Sequence, residues 1–245
     1  AKYYGSTQVV DEARHVEAFA RYLDEKMPTT YPINENLKSL LDSVLRDERW
    51  DLVYLGMQVV IEGLALAAFG MMLGTTQEPL LKAMLRYVMS DEARHVAFGI
   101  LSLQEIYEDL SADEFRLRQE FAYEACDRMR RRTLNAELWP SYGIANEEIE
   151  ALLPDQNSQQ KFQQLLFSKI VPNCKKLGLL DHRDGWLRER FQEMNIIQFE
   201  DWENTAEALN LDGPVADREL DDAANRASFD PDALEGVEVL DTPSL

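Results

Sequence analysis

One hexapeptide occurs twice in this chain, as Asp11-Glu12-Ala13-Arg14-His15-Val16 and again as Asp91-Glu92-Ala93-Arg94-His95-Val96. Within each copy a Glu and a His stand three positions apart, a spacing that puts a carboxylate and an imidazole on one helix face. Two such helices facing each other turn two carboxylates and two imidazoles toward a common point. The chain has only three histidines and two of them lie in these copies. The third, His182, falls in a polar stretch and is expected at the surface. Glu62 joins the set because it is the only charge in the long apolar stretch Leu52–Gly74, where an unpaired ionised carboxylate costs several kcal/mol. A divalent metal is a natural compensating charge. The competing reading is a buried ion-pair network in which Glu12, Arg14, Glu92 and Arg94 pair across helices. A single E-x-x-H is usually that; a duplicated one with a lone buried Glu between the copies points to metal.

The elements that must position these residues are helices. Gly (11) and Pro (9) are scarce, most prolines separate long helix-compatible stretches, and no strand-like alternation of any length occurs, so the class is all-α. The first helix is predicted over about Ser6–Met27, ended by Pro28, Thr29, Thr30 and Pro32. Asn34 is the expected N-cap of a second helical stretch reaching about Leu73, broken or kinked at the charged run Arg46–Asp51. Gly74, Thr75 and Thr76 link it to a third helix that carries Pro79 in its first turn and extends to Asp109. With roughly 15 residues of antiparallel helix on each side of that link, rising 1.5 Å each, Glu62 and Glu92 reach similar depth. Ser111-Ala-Asp-Glu114 has the form of a capping box and opens a fourth helix ending near Leu134. Shorter helices follow at about 146–153, 157–176 and 183–193. The division is a helix-bundle core (1–137), additional helices packed on it (138–211) and an acidic extended or disordered tail (212–245). One turn from Glu62, Gln58, Leu66 and Phe69 face the same way and are candidates to line a cavity, each being also an ordinary core residue.

E-x-x-H, a Glu on a long apolar helix, and a second E-x-x-H resemble the ferritin-like di-iron carboxylate proteins over about residues 1–137. The fuller form D-E-x-R-H is most similar to the hydroxylase subunits of bacterial multicomponent monooxygenases. The small subunit of ribonucleotide reductase, acyl-carrier-protein desaturases and arylamine N-oxygenases are relatives. The resemblance implies a ferritin-like four-helix bundle in which Glu12, His15, Glu62, Glu92 and His95 hold two iron ions, or a Mn/Fe pair. Asp11 and Asp91 would accept the far N–H of the ligand histidines, with Arg14 and Arg94 pairing to those aspartates. It also implies a fourth carboxylate from a helix about 30 residues upstream of Glu12, before residue 1, so that the ligand set is expected to lack its first helix. The implied activity is that of an oxygenase or oxidase: dioxygen is activated and a small organic substrate oxidised, with electrons from a separate reductase.

Three alternatives belong to other classes. A radical-generating subunit is disfavoured because Phe19 stands where that family commonly has a tyrosine, and Tyr22 lies nearly another turn on. Ferritin- or rubrerythrin-type iron handling lacks a CxxC module here. A metal-free helical scaffold is the fourth reading. Composition narrows the rest. A formal net charge of −20 disfavours nucleic-acid and membrane-surface binding. Leu52–Gly74 is long enough to span a bilayer, but its central Glu and lack of flanking basic anchors favour the buried centre of a bundle. Cys126 and Cys174 are too few for a disulfide framework or a thiolate metal site and are expected as plain thiols near the core. No signal peptide is visible, so a cytoplasmic location is expected, with a homodimer compatible. The basic run Arg128, Arg130, Arg131 and Arg132 suits a solvated helix C-terminus.

Overall fold

The structure, a computed structural model, describes residues 2–134, 143–144, 164–182 and 184–202. Among these residues the regular elements are all helical and no strand occurs, as an all-α chain requires. They are α1 (Lys2–Lys26), α2 (Glu35–Leu45), α3 (Trp50–Tyr54), a π-helical segment (Leu55–Ile61), α4 (Glu62–Thr75), α5 (Pro79–Tyr107), α6 (Ala112–Leu134), α7 (Val171–Lys176), α8 (Trp186–Glu193) and a final 3₁₀ turn (Ile197–Phe199).

The boundaries have local causes. The Asn34 side chain accepts the N–H groups of Asn36 and Leu37 and starts α2. Between α2 and α3, Asp47 takes both the backbone N–H and the guanidinium of Arg49, which interrupts the helix inside the charged run. The Glu78 carboxylate accepts the N–H of Leu81, and Pro79 supplies the first turn of α5. Ser111 and Glu114 cap each other reciprocally at the start of α6.

Some boundaries differ from expectation. α1 runs Lys2–Lys26 rather than 6–27, and α5 stops at Tyr107, short of Asp109. The expected 157–176 helix is not continuous where described: residues 166–170 are turns, and α7 begins at Val171 with Pro172 in its first turn. α8 starts at Trp186 because Gly185, at φ +68°, adopts the left-handed conformation that ends the preceding chain direction. The expected helix at 146–153 and the acidic tail at 212–245 lie outside the described residues.

α4 turns back along α5, α6 covers the π segment and α2, α8 packs on α6, and α7 lies against α5. α1 runs along α5. The run Trp50–Thr75 is long and apolar enough to cross a membrane, and 61% of its most apolar window is buried inside the protein. That burial is what a central core helix requires. Cys126 and Cys174 are both buried free thiols. His182 is not a plain surface residue: its ring stacks on Phe115 at 3.8 Å between centroids, so packing rather than solvent holds it. Arg130 and Arg131, in the basic run, pair with Asp127 on their own helix.

Candidate metal centre

The two copies of the hexapeptide meet across α1 and α5. Glu12, Glu62, Glu92 and His95 each present a ligand atom, and these atoms all lie within 4.8 Å of one another. His15 completes the set, its Nδ1 lying 3.1 Å from Glu92 Oε1 and 3.7 Å from Glu12 Oε2. His95 Nδ1 lies 3.0 Å from Glu12 Oε1 and 3.6 Å from Glu92 Oε2. The two imidazole rings are 6.2 Å apart. All five residues singled out from the sequence are therefore in one place.

These distances are short enough for ion pairs, yet Glu12 Oε1, His15 Nδ1, Glu62 Oε2, Glu92 Oε2 and His95 Nδ1 are all buried without a hydrogen-bond partner. The atoms are thus close enough to share a proton or a cation, yet none of them makes a well-directed hydrogen bond. Orphaned buried polar atoms are rare and call for a cause. The donor set, three carboxylates and two imidazoles with no thiolate, is compatible in its chemistry with a metal such as iron or manganese.

Behind the ligands the arrangement is crosswise. Asp91 Oδ2 lies 3.1 Å from Nε2 of His15, and Asp11 Oδ2 lies 3.3 Å from Nε2 of His95. Each histidine is thus oriented by the aspartate of the other copy, on the other helix. Arg14 pairs with Asp11 and Arg94 with Asp91, and Arg14 also reaches Asp91 at 3.5 Å. Arg94 further donates to the Ser90 carbonyl and hydroxyl. An acceptor on Nε2 fixes the tautomer that leaves Nδ1 as the ligand atom.

Electrostatics in the metal-free protein follow from this packing. Burial pulls both imidazole pKa values down, but the carboxylates around them outweigh it and raise each to about 10. For His15 these are Glu12, Glu92 and Asp91; for His95 they are Glu12, Glu92, Glu62 and Asp11. The two imidazolium neighbours hold Glu12 down at about 2. Burial, then the Glu92 charge, pushes Glu62 up to about 8. At neutral pH the metal-free cluster therefore holds Glu62 protonated, with four carboxylates matched by two imidazoliums and two guanidiniums. Replacing those three protons by two dications changes the local charge by only one unit.

Glu62 is delivered by an irregular backbone. The π-helical segment ends on it, and the Glu62 N–H bonds to the carbonyl of Met57, five residues back. Such wide turns are frequent at functional sites. The segment presses against α5 so closely that a Cβ on Gly99 would stand 2.5 Å from Gln58 Cβ. No side chain fits at 99 while the helices keep this approach.

Gln58 is buried, and its Oε1 has no partner. Leu66 belongs to the core, and Phe69 packs against it and stacks on Phe19 at 5.4 Å. Sequence reasoning missed Gln8. It is buried, and its Nε2 donates to Glu62 Oε1 at 3.3 Å, leaving Oε2 of Glu62 free. Its position one turn before Glu12, on the ligand face of the same helix, was the available signal.

No protein-family model matches the chain, and neither a curated protein nor a solved structure is significantly similar to it.

Proposed function

We propose that this chain is a ferritin-like di-metal carboxylate protein that binds two iron ions, or one manganese and one iron, and uses dioxygen to oxidise a small organic substrate. The observation that supports it is the convergence of five buried, hydrogen-bond-free donor atoms from α1, α4 and α5. Function is read here from the site, since fold class alone does not specify it.

In this reading Glu12, His15, Glu62, Glu92 and His95 hold the ions, with Asp11 and Asp91 orienting the imidazoles. Two such metals supply redox electrons and Lewis acidity toward dioxygen. The protein's own part is geometric and protective. Leu66, Val88 and Ala93, each within a turn of a ligand residue along α4 or α5, are buried and would help to keep bulk water out. Gln8 holds Glu62 by one carboxylate oxygen so that the other stays available. Catalytic turnover requires an electron-donor reductase, which is part of the proposal. The ion pairs at 3.0 and 3.1 Å favour a second reading, a metal-free network that simply locks α1 to α5.

Anaerobic loading with Fe(II), metal analysis, and optical recording on exposure to dioxygen separate the two. The expected result is about two metals per chain, falling to one or none in Glu62→Ala and His95→Ala. A wild-type protein that retains less than one equivalent rejects the di-metal reading in favour of the ion-pair network.

A further inference from the structure

Four aromatic side chains form a series from the surface to the edge of the metal centre. Trp50, at the start of α3, is 47% exposed. Its ring meets that of Tyr54 edge-on at 5.3 Å between centroids. Tyr54 lies 6.2 Å from Phe98 on α5, and Phe98 lies 4.3 Å from Tyr4 on α1. The inner two rings stand beside the ligands. Phe98 follows His95 by three positions on α5, and Tyr4 precedes Gln8, the residue bound to Glu62, by one turn of α1. Burial raises the Tyr4 phenol pKa, and the charges of Arg94, Asp11, Glu62 and Asp91 act on the same group. Trp50 itself is remote, twelve positions before Glu62, roughly 18 Å along the helical run at 1.5 Å per residue. Phe19 and Phe69 also stack near the centre, but neither of those rings is readily oxidised.

We propose that Trp50, Tyr54, Phe98 and Tyr4 are a relay that returns single electrons from a soluble donor to the metal centre when dioxygen has oxidised it and no organic substrate is bound; the inference rests on the function proposed above. The chemistry requires such an outlet. An oxidant strong enough to attack an organic substrate also oxidises a phenol or an indole, and without substrate it draws electrons from the nearest side chains, its own ligands included. Electron transfer weakens steeply with distance, so short steps between neighbouring rings outrun one jump over the whole span to Trp50. Tyrosine and tryptophan can carry the missing electron; Phe98 cannot, and bridges the two tyrosines. In the first step Tyr4, which is half-buried, gives one electron to the centre and its phenolic proton to solvent. Tyr54, also half-buried, refills Tyr4, which takes a proton back, and Trp50 refills Tyr54 in the same way. A thiolate in solution then reduces the exposed Trp50, and two thiolates oxidised in this way end as one disulfide.

The relay can be driven without metal. Both native thiols are buried, so the exposed position of Glu48→Cys takes a ruthenium polypyridyl label selectively, two residues from Trp50. A laser flash on the labelled, metal-free full chain, with an external quencher, creates an oxidant there and drives the oxidising equivalent inward along the same rings. Transient absorption and EPR are expected to show an indole radical giving way to a tyrosyl radical that ends on Tyr4. Trp50→Phe should slow tyrosyl formation by about tenfold or more, and Phe98→Leu should slow only the step from Tyr54 to Tyr4 by a similar factor. Tyr4→Phe should strand the radical on Tyr54, with a different EPR line shape because that ring is turned differently about its Cβ. Tyrosyl formation indifferent to Trp50→Phe, or a signal unchanged in Tyr4→Phe, overturns the proposal. Loss of folding in Phe98→Leu leaves those two variants decisive. Failure of the flash measurement in a protein that binds two irons overturns the relay alone. A protein that passes it but binds no iron overturns the proposed function, and with it the relay, which then has no oxidant to serve.

Discussion

The two copies of Asp-Glu-Ala-Arg-His-Val share every residue and little of their surroundings. On α5, Glu92 is 8% exposed and Val96 1%; on α1, Glu12 is 47% exposed and Val16 70%. α5 is enclosed by α1, the π segment with α4, and α7, whereas among the described residues α1 packs chiefly on α5. The polar chemistry is nevertheless the same in both copies. Each histidine turns Nδ1 toward the glutamates and Nε2 toward the aspartate of the opposite copy. Ligand geometry is local, set by residues three apart on a helix. Burial is set by whatever the tertiary fold brings alongside. One motif can therefore play one chemical role twice while carrying packing weight only once.

The largest effect expected from this arrangement is a pH dependence common to both copies. In the metal-free protein His15 and His95 have pKa values raised from an ordinary 6.5 to about 10. The stability they contribute is fully present below pH 6.5 and is lost as pH rises through 10. Glu62, raised from 4.5 to about 8, works in the same direction between those values. Glu12, lowered from 4.5 to about 2, works oppositely and costs stability as pH falls through that range. Metal-free protein should thus be most stable near pH 4.5, weaken above it as Glu62 ionises and weaken more steeply from pH 6.5 toward 10, as urea midpoints across pH will show. Metal binding must displace the imidazolium protons and the Glu62 proton, so it should weaken as pH falls and release protons in calorimetry. A histidine that titrates near 6.5 by NMR in one copy only would break the equivalence.

Next in size is the crosswise orientation. Asp91→Asn should impair the metal held with His15, and Asp11→Asn the metal held with His95, each by about 10- to 100-fold in affinity. Competition with a chelator measures both. If each variant instead affected the histidine of its own copy, the pairing across helices would be wrong.

The packing asymmetry predicts a smaller and opposite contrast. Val96→Ala removes buried methyl groups and should cost about 2 kcal/mol of unfolding free energy. Val16→Ala should change it by no more than about 0.5 kcal/mol. Equal losses would mean that α1 is covered in the same way as α5.

Much of this was legible in the sequence, for physical reasons that also mark where legibility ends. Asn34, Pro79 and the Ser111–Glu114 box act over three or four residues, so the helix starts they specify are where the structure has them. Glu12, His15, Glu92 and His95 were readable because helical spacing fixes a shared face, and Glu62 because a lone charge in apolar sequence needs a partner. The crosswise role of the aspartates depends on the antiparallel meeting of α1 and α5, which no local pattern encodes. The π segment was invisible because Leu55–Ile61 reads as ordinary helix; only the close approach at Gly99 shows that the wide turn presses against a neighbour. His182 was misjudged because its polar sequence neighbours said nothing of Phe115, far away in the chain.

Gln8 gives the finest test, because it belongs to the more exposed copy's helix yet acts on a ligand of neither copy. Its hydrogen bond occupies Glu62 Oε1 and leaves Oε2 turned to the other donors. Gln8→Leu keeps the side-chain volume and removes the donor. The metal-free protein should lose about 1 kcal/mol or less, the ordinary net worth of one hydrogen bond. Metal affinity should fall by about tenfold or more, since an unrestrained Glu62 must be ordered on binding. Gln8→Glu separates orientation from packing: it restores polarity but places a second carboxylate beside Glu62, which should raise the Glu62 pKa further and shift the onset of metal binding to higher pH. Unchanged metal affinity in Gln8→Leu would reduce Gln8 to a core residue that happens to touch Glu62, and would leave the positioning of that carboxylate to the π segment alone.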